Sequence, residues 1–140
     1  MRPAFAIGIG CRKGCAGSNI AALVRRALTI AAGAAREPGA TRVSGDAVIF
    51  TSETKHEEKG LADAAATLGL RLVLLPRAEL EAAASRCATR SARVEALIGL
   101  PSLAEAAALA GAGAGSRLVL ERISEGGASC ALAIRAETAS

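Results

Sequence analysis

The chain of 140 residues has almost no aromatic side chains: two Phe, no Tyr and no Trp. It therefore lacks the platforms on which single-stranded nucleic acids stack their bases. Lysine is nearly missing as well, since of 17 basic residues only Lys13, Lys55 and Lys59 are lysines. The cations are scattered, so the net charge of +4 marks neither a nucleic-acid arm nor a membrane-binding one. No apolar run reaches the length of a membrane span, because Arg, Glu or Gly interrupts every alanine-rich stretch. The opening "MRPAFAIGIGCRKG" turns charged too early for a secretory leader. Neither nucleic acid nor membrane is an expected partner, and the expected setting is soluble and cytoplasmic. There the four cysteines, Cys11, Cys15, Cys87 and Cys130, are expected as free thiols.

What remains is mostly small and aliphatic. Apolar residues make up 51% of the chain, much of that alanine, which suits closely packed helices in one domain over residues 1–140. Arginine dominates the basic residues, and its planar fork suits carboxylate or phosphate.

The pattern alternates strands and helices. "AFAIGIG" (4–10) reads as a buried strand. Ile20, Leu23, Val24, Ala27, Leu28 and Ala31 repeat at helical spacing behind Ser18, a candidate N-cap, with Gly33 near the end. A polar loop (36–45) leads to strand "DAVIFTS" (46–52). "TKHE" (54–57) has the form of a capping box before a helix faced by Leu61, Ala64, Ala65 and Leu68 and stopped by Gly69. "LRLVLLP" (70–76) is apolar throughout, as expected of a strand covered on both faces. Helix "RAELEAAAS" (77–85), a loop, a short helical "VEALIG" and helix "PSLAEAAALAGAG" (101–113) follow, the last with Ser102 and Glu105 as a second capping box. "RLVLERI" and "SCALAIR", joined by "SEGGA", form a hairpin, and the tail 136–140 is expected to fray. The order predicts a three-layer α/β/α sandwich: a mainly parallel five-stranded sheet with a C-terminal antiparallel hairpin.

Ligands of such sheets bind at the carboxyl ends of the parallel strands. The loop after the first strand, "GIGCRKGCAGS", offers Gly8, Gly10 and Gly14, the cations Arg12 and Lys13, and a helix start, a combination that favours an anion. It has neither dinucleotide nor P-loop spacing. Cys11, Cys15 and His56 raise a Cys2His metal site, but the spacing is atypical and ordinary thiols in a cleft are preferred. Cys11 beside two cations is also a candidate low-pKa nucleophile, with His56 its only available base. Cys87 and Cys130 read as structural. After the second strand, Glu53 and Lys55 are the better site candidates, whereas Glu57 and Glu58 read as solvated acids at a helix start.

Three stretches, "GIGCRKG", "TSETKHEEKGL" and "PSLAEAAALAGAG", together resemble the cobalamin-biosynthesis family of CobE and the C-terminal domain of CbiG, in order and over essentially the whole chain. "GIGCRKG" and "SLAEAAAL" are the specific parts. The middle stretch matches the family's T-I-D-L-K-A-D-E-P-G-L at Thr51, Lys55, Glu58, Gly60 and Leu61. It departs at Ser52, Glu53, Thr54, His56, Glu57 and Lys59, although Glu53 keeps the charge of the family's Asp. His56 has no counterpart there, which weakens the metal-site reading. The resemblance implies a role in building the corrin ring, with a corrinoid or precorrin intermediate as ligand and other enzymes of that pathway as further partners. No cofactor and no resident metal is expected. Such intermediates carry a rim of acetate and propionate groups, which backbone N–H groups of the glycine-rich loop (Gly8, Gly10 and Gly14) with Arg12, Lys13 and Lys55 would receive. Cys11 and Thr51 belong to the site through the family-like motifs, Cys11 without an assigned role, and Ser102 and Glu105 are secondary members. Binding is the favoured activity. The alternative is opening of the cobalt-precorrin-5A lactone with acetaldehyde release, the activity associated with full-length CbiG, with Glu53 activating water.

Overall fold

The computed structural model describes residues 5–34, 47–89 and 102–135. Five strands, β1 (Phe5–Cys11), β2 (Ala47–Ser52), β3 (Arg71–Leu75), β4 (Arg117–Glu125) and β5 (Ala128–Ile134), form one sheet of order β3-β2-β1-β5-β4. β1, β2 and β3 pair in parallel, while β5 is antiparallel to both β1 and β4. Helices α1 (Gly17–Ala34) and α2 (Lys59–Leu68) cover one face, and α3 (Arg77–Ala83) and α4 (Leu103–Ala112) the other. The three-layer sandwich with its C-terminal hairpin is the expected architecture.

Alternation along β1 divides the core in two. Phe5, Ile7 and Ile9 point to α1 and α2, against Ile20, Leu23, Val24, Leu61 and Ala64. Ala6 and the glycines between point to α4, which is buried over all ten of its residues. Such a helix needs no polar face, which accounts for its run of alanine and leucine. α4 lies so close to β1 that a Cβ on Gly8 would collide with the Ala104 carbonyl oxygen and sit 2.9 Å from the Ala108 Cβ. Glycine at position 8 is thus a packing requirement.

Several local expectations change. β3 is an edge strand and only partly covered: Leu72 packs against the core on the α1 and α2 side and Val73 and Leu75 against that on the other, but Leu74 is 37% exposed. Ser18 lies inside the first turn of α1, because the Ala16 carbonyl already accepts from Asn19 and Ile20. "TKHE" is not a capping box. Ser52 Oγ accepts from Thr54 N–H at 3.2 Å and starts a 3-10 turn over Glu53–Lys55, and α2 begins only at Lys59. Ser102 does cap α4, accepting from Glu105 N–H at 3.3 Å, but Glu105 does not return the bond. Gly69 ends α2 as expected, at φ +69° with its N–H on the Ala65 and Ala66 carbonyls. The expectations for 36–45, for "VEALIG" and for the tail lie outside the described residues. Among the described residues no helix is long and apolar enough to cross a membrane.

Gly8→Ala should lower stability by about 1–3 kcal/mol, since overpacking a tight helix–sheet contact forces backbone to move. Urea unfolding checks it: the midpoint should fall at constant m, and an unchanged midpoint would show that α4 can retreat without cost.

Candidate functional site

The carboxyl ends of β1, β2 and β3 open on one edge of the sheet. Because β5 runs the other way, the β4–β5 turn reaches that same edge. The loop after β1 therefore lies between two neighbours, residues 53–58 beyond β2 and Gly126–Gly127 beyond β4.

Within this loop, Cys15 N–H donates to the Arg12 carbonyl at 3.1 Å, closing a tight turn over Lys13 and Gly14. Gly14 sits at φ +78°, the conformation that favours glycine at this place in such a turn. On the β2 side, two alternate carbonyls of β1 are met by side chains. Thr51 Oγ1 donates to Ile9 O at 2.7 Å, and Lys55 Nζ to Cys11 O at 2.9 Å. Gly14 N–H donates to Glu58 Oε2 at 2.9 Å. On the β5 side, Arg12 N–H donates to Gly127 O at 2.9 Å. Cys15 Sγ and Asn19 Nδ2 converge on the Gly126 carbonyl, each at 3.4 Å. Gly126 and Gly127 have φ of +62° and +85°, the pair of left-handed residues a two-residue hairpin turn demands. The loop backbone is thus held from both sides, while the side chains of Arg12 and Lys13 lie exposed at the edge.

Burial pushes the Cys11 thiol up to about 11, against the opposing pull of Lys55; Cys15 and Glu58 add to the rise. The thiol of Cys15 is also raised, by burial and then by Glu58. Cys11 is therefore not the low-pKa nucleophile that its cationic sequence neighbours suggested; desolvation outweighs the charge of Lys55. Cys130, buried in β5, is pushed up by burial to about 12 and is structural, as expected. Among the described residues no three His, Cys, Asp or Glu side chains are grouped to hold a metal. His56 turns to its own loop, with Nδ1 3.0 Å from Glu53 O and Nε2 3.7 Å from Glu57 Oε1.

The structure brings Cys11, Arg12, Lys13, Gly14 and Lys55 together at the edge. Thr51 is buried just beneath, and Glu53 is exposed on its 3-10 turn. Gly8 and Gly10 lie inside β1, paired with β5 and turned towards α4, so neither lines the open loop. Ser102 and Glu105 are fully buried. The Glu105 carboxylate accepts from Thr89 N–H at 2.7 Å, Thr89 Oγ1 at 2.7 Å and Arg122 N–H at 2.9 Å. It ties α4 to the irregular stretch of β4, where pairing with β5 shifts register between Leu120 and Ile123.

A family model described as cobalamin synthesis G C-terminus matches residues 5–133. The chain belongs to that family. It is 34% identical over 127 residues to Protein CobE of Sinorhizobium sp, a match covering 91% of this chain and 77% of that one. Its fold matches a crystal structure of CobE, a protein from the cobalamin (vitamin B12) biosynthetic pathway, with a TM-score of 0.77 and 32% identity over 96% of this chain and 92% of the other. It also matches the cobalamin biosynthesis protein chiG from Agrobacterium tumefaciens str. C58, with a TM-score of 0.65 and 37% identity over 95% and 99% of the two chains. The three motifs therefore identified the family correctly, and the chain is a cobalamin-biosynthesis protein of the CobE and CbiG type.

Within this member, sequence reasoning missed Glu58 and the Gly126–Gly127 turn. In sequence Glu58 reads as a solvated acid at a helix start, yet its carboxylate reaches across to Gly14. The sequence shows the turn as a hairpin, but only the insertion of β5 beside β1 places it against Arg12. The raised thiol of Cys11 makes a direct prediction. A higher pKa leaves less thiolate at any given pH, about a hundredth of the ordinary fraction at pH 8 for a rise from 9.0 to about 11. Iodoacetamide should therefore modify Cys11 slowly, with a rate still climbing above pH 10, where an ordinary thiol is already mostly ionised. Peptide mapping would contradict this if the rate at Cys11 levelled off below that pH.

Proposed function

We propose that the protein binds a carboxylate-rich corrinoid or precorrin intermediate at the edge formed by residues 11–15 and 53–58. Its relatives by sequence and fold are cobalamin-biosynthesis proteins, one described as a protein from the cobalamin (vitamin B12) biosynthetic pathway. The observation that carries the reading is the gathering of three cations on one sheet edge: Arg12 and Lys13 exposed on the tight turn and Lys55 half-buried beside it. Guanidinium and ammonium groups recognise carboxylates through charge-assisted hydrogen bonds, and a ring with acid groups around its rim presents several at once. Lys55 is held by the Cys11 carbonyl, so part of its ordering cost is met before any ligand arrives.

Lactone hydrolysis draws less support. Glu53, the base that activity would employ, is exposed on a 3-10 turn, and its side chain is not enclosed with the cations. General-base catalysis gains most where a carboxylate is shielded and positioned against its water.

Titration with hydrogenobyrinic acid, followed by absorption and by calorimetry, tests the proposal. Saturable binding is expected, weakened by added salt. Arg12→Ala and Lys13→Ala should each weaken it roughly fivefold, the equivalent of about 1 kcal/mol per surface charge pair. The absence of both heat and spectral change at tens of micromolar would overturn the reading. Acetaldehyde release from the lactone substrate by the protein alone would instead establish the hydrolase.

A further inference from the structure

Glu58 occupies the N-cap position of α2, yet its side chain makes no bond to that helix. Glutamate is a poor residue for the position, where Ser, Thr, Asp and Asn reach back to the first helical amides. The carboxylate crosses instead to the loop after β1 and takes the Gly14 N–H at 2.9 Å. Three residues earlier, Lys55 reaches the same loop and donates to the Cys11 carbonyl. Position 58 thus puts a negative charge on a backbone donor of the very turn that carries Arg12 and Lys13. Its charge is also near enough to Cys11 and Cys15 to raise both thiols.

We infer that Glu58 is an internal stand-in for a ligand carboxylate, holding the Gly14 N–H until an incoming carboxylate displaces it. The inference rests on the reading of this edge as a carboxylate site and adds to it a self-occupied state. The Gly14 N–H stays satisfied in the empty protein, and a ligand must exchange one carboxylate for another. A monocarboxylate gains little from that exchange, because it merely replaces what Glu58 already supplies. A ligand with several carboxylates can take the Gly14 N–H and also engage Arg12 or Lys13, so the exchange favours polycarboxylates. The half-buried Glu58 is not locked in the core, which leaves its side chain room to swing away.

The test compares the wild type with Glu58→Gln, which retains an acceptor oxygen for Gly14 but removes the charge. Amide NMR follows Gly14 during titration with propane-1,2,3-tricarboxylate, with acetate and separately with hydrogenobyrinic acid. The tricarboxylate should shift the Gly14 amide in both proteins, with a Kd roughly five- to tenfold lower in Glu58→Gln, and the difference should shrink as salt rises. Acetate should bind the wild type hardly at all and Glu58→Gln measurably. Equal or weaker tricarboxylate binding by a folded Glu58→Gln would overturn the inference, as would tighter binding that leaves the Gly14 amide unmoved. If that variant does not fold, the side-chain carboxyl carbon of Glu58 in the wild type decides. It should shift together with the Gly14 amide on adding the tricarboxylate, and a stationary signal overturns the exchange. Failure of hydrogenobyrinic acid alone, with tricarboxylate exchange intact, counts against the corrinoid reading and leaves the stand-in role standing.

Discussion

β1 takes a parallel partner on one side and an antiparallel partner on the other, and the candidate site follows from that arrangement. The parallel side brings the carboxyl end of β2 alongside, and with it Thr51, Lys55 and Glu58. The antiparallel side brings the β4–β5 turn to the same edge, where its carbonyls meet Arg12 N–H, Cys15 and Asn19. A purely parallel neighbour in place of β5 would send its preceding connection to the opposite edge of the sheet, leaving the loop 11–15 held from one side only. Close approach of α4 completes the frame, since Gly8 lets the helix backbone settle on the strand that ends in the loop.

The polar bonds around the loop serve its shape before they serve any ligand. Ile9 and Cys11 carbonyls would otherwise lose their partners where the parallel ladder runs out, and Thr51 and Lys55 supply them. With the backbone anchored at Cys11, Arg12 and Gly14, the tight turn projects Arg12 and Lys13 outwards from a fixed base. Glu105 does similar work at the other side of the sheet, deep in the core. Its carboxylate satisfies three donors that the break in the β4 ladder and the segment at Thr89 would leave unmatched.

Local patterns in the sequence revealed the order of the described strands and helices, the Gly69 stop, the Ser102 cap and the hairpin through Gly126 and Gly127, because each depends on neighbours within a few residues. The family was legible for a different reason, through three separated motifs. Contacts between distant segments were not legible. Glu58 and Gly14 are 44 residues apart, and nothing in "TKHEE" distinguishes a carboxylate bound to a remote amide from one facing water. Glycines 8 and 10 resembled part of an anion cradle, whereas their side of β1 receives α4. Cys11 carries two readings in sequence, an ordinary thiol, which is preferred, and a nucleophile. Its adjacent cations suggested a thiolate, but at the end of a central strand burial governs its protonation.

A crystal structure of the protein with hydrogenobyrinic acid tests the central claim most directly. The account predicts the ring across the carboxyl ends of β1 and β2, with acid groups within hydrogen-bond distance of Arg12, Lys13 or the Gly14 N–H. A ring seated at the opposite edge, beside the start of β3 and β4, or against the exposed face of α1, would contradict it.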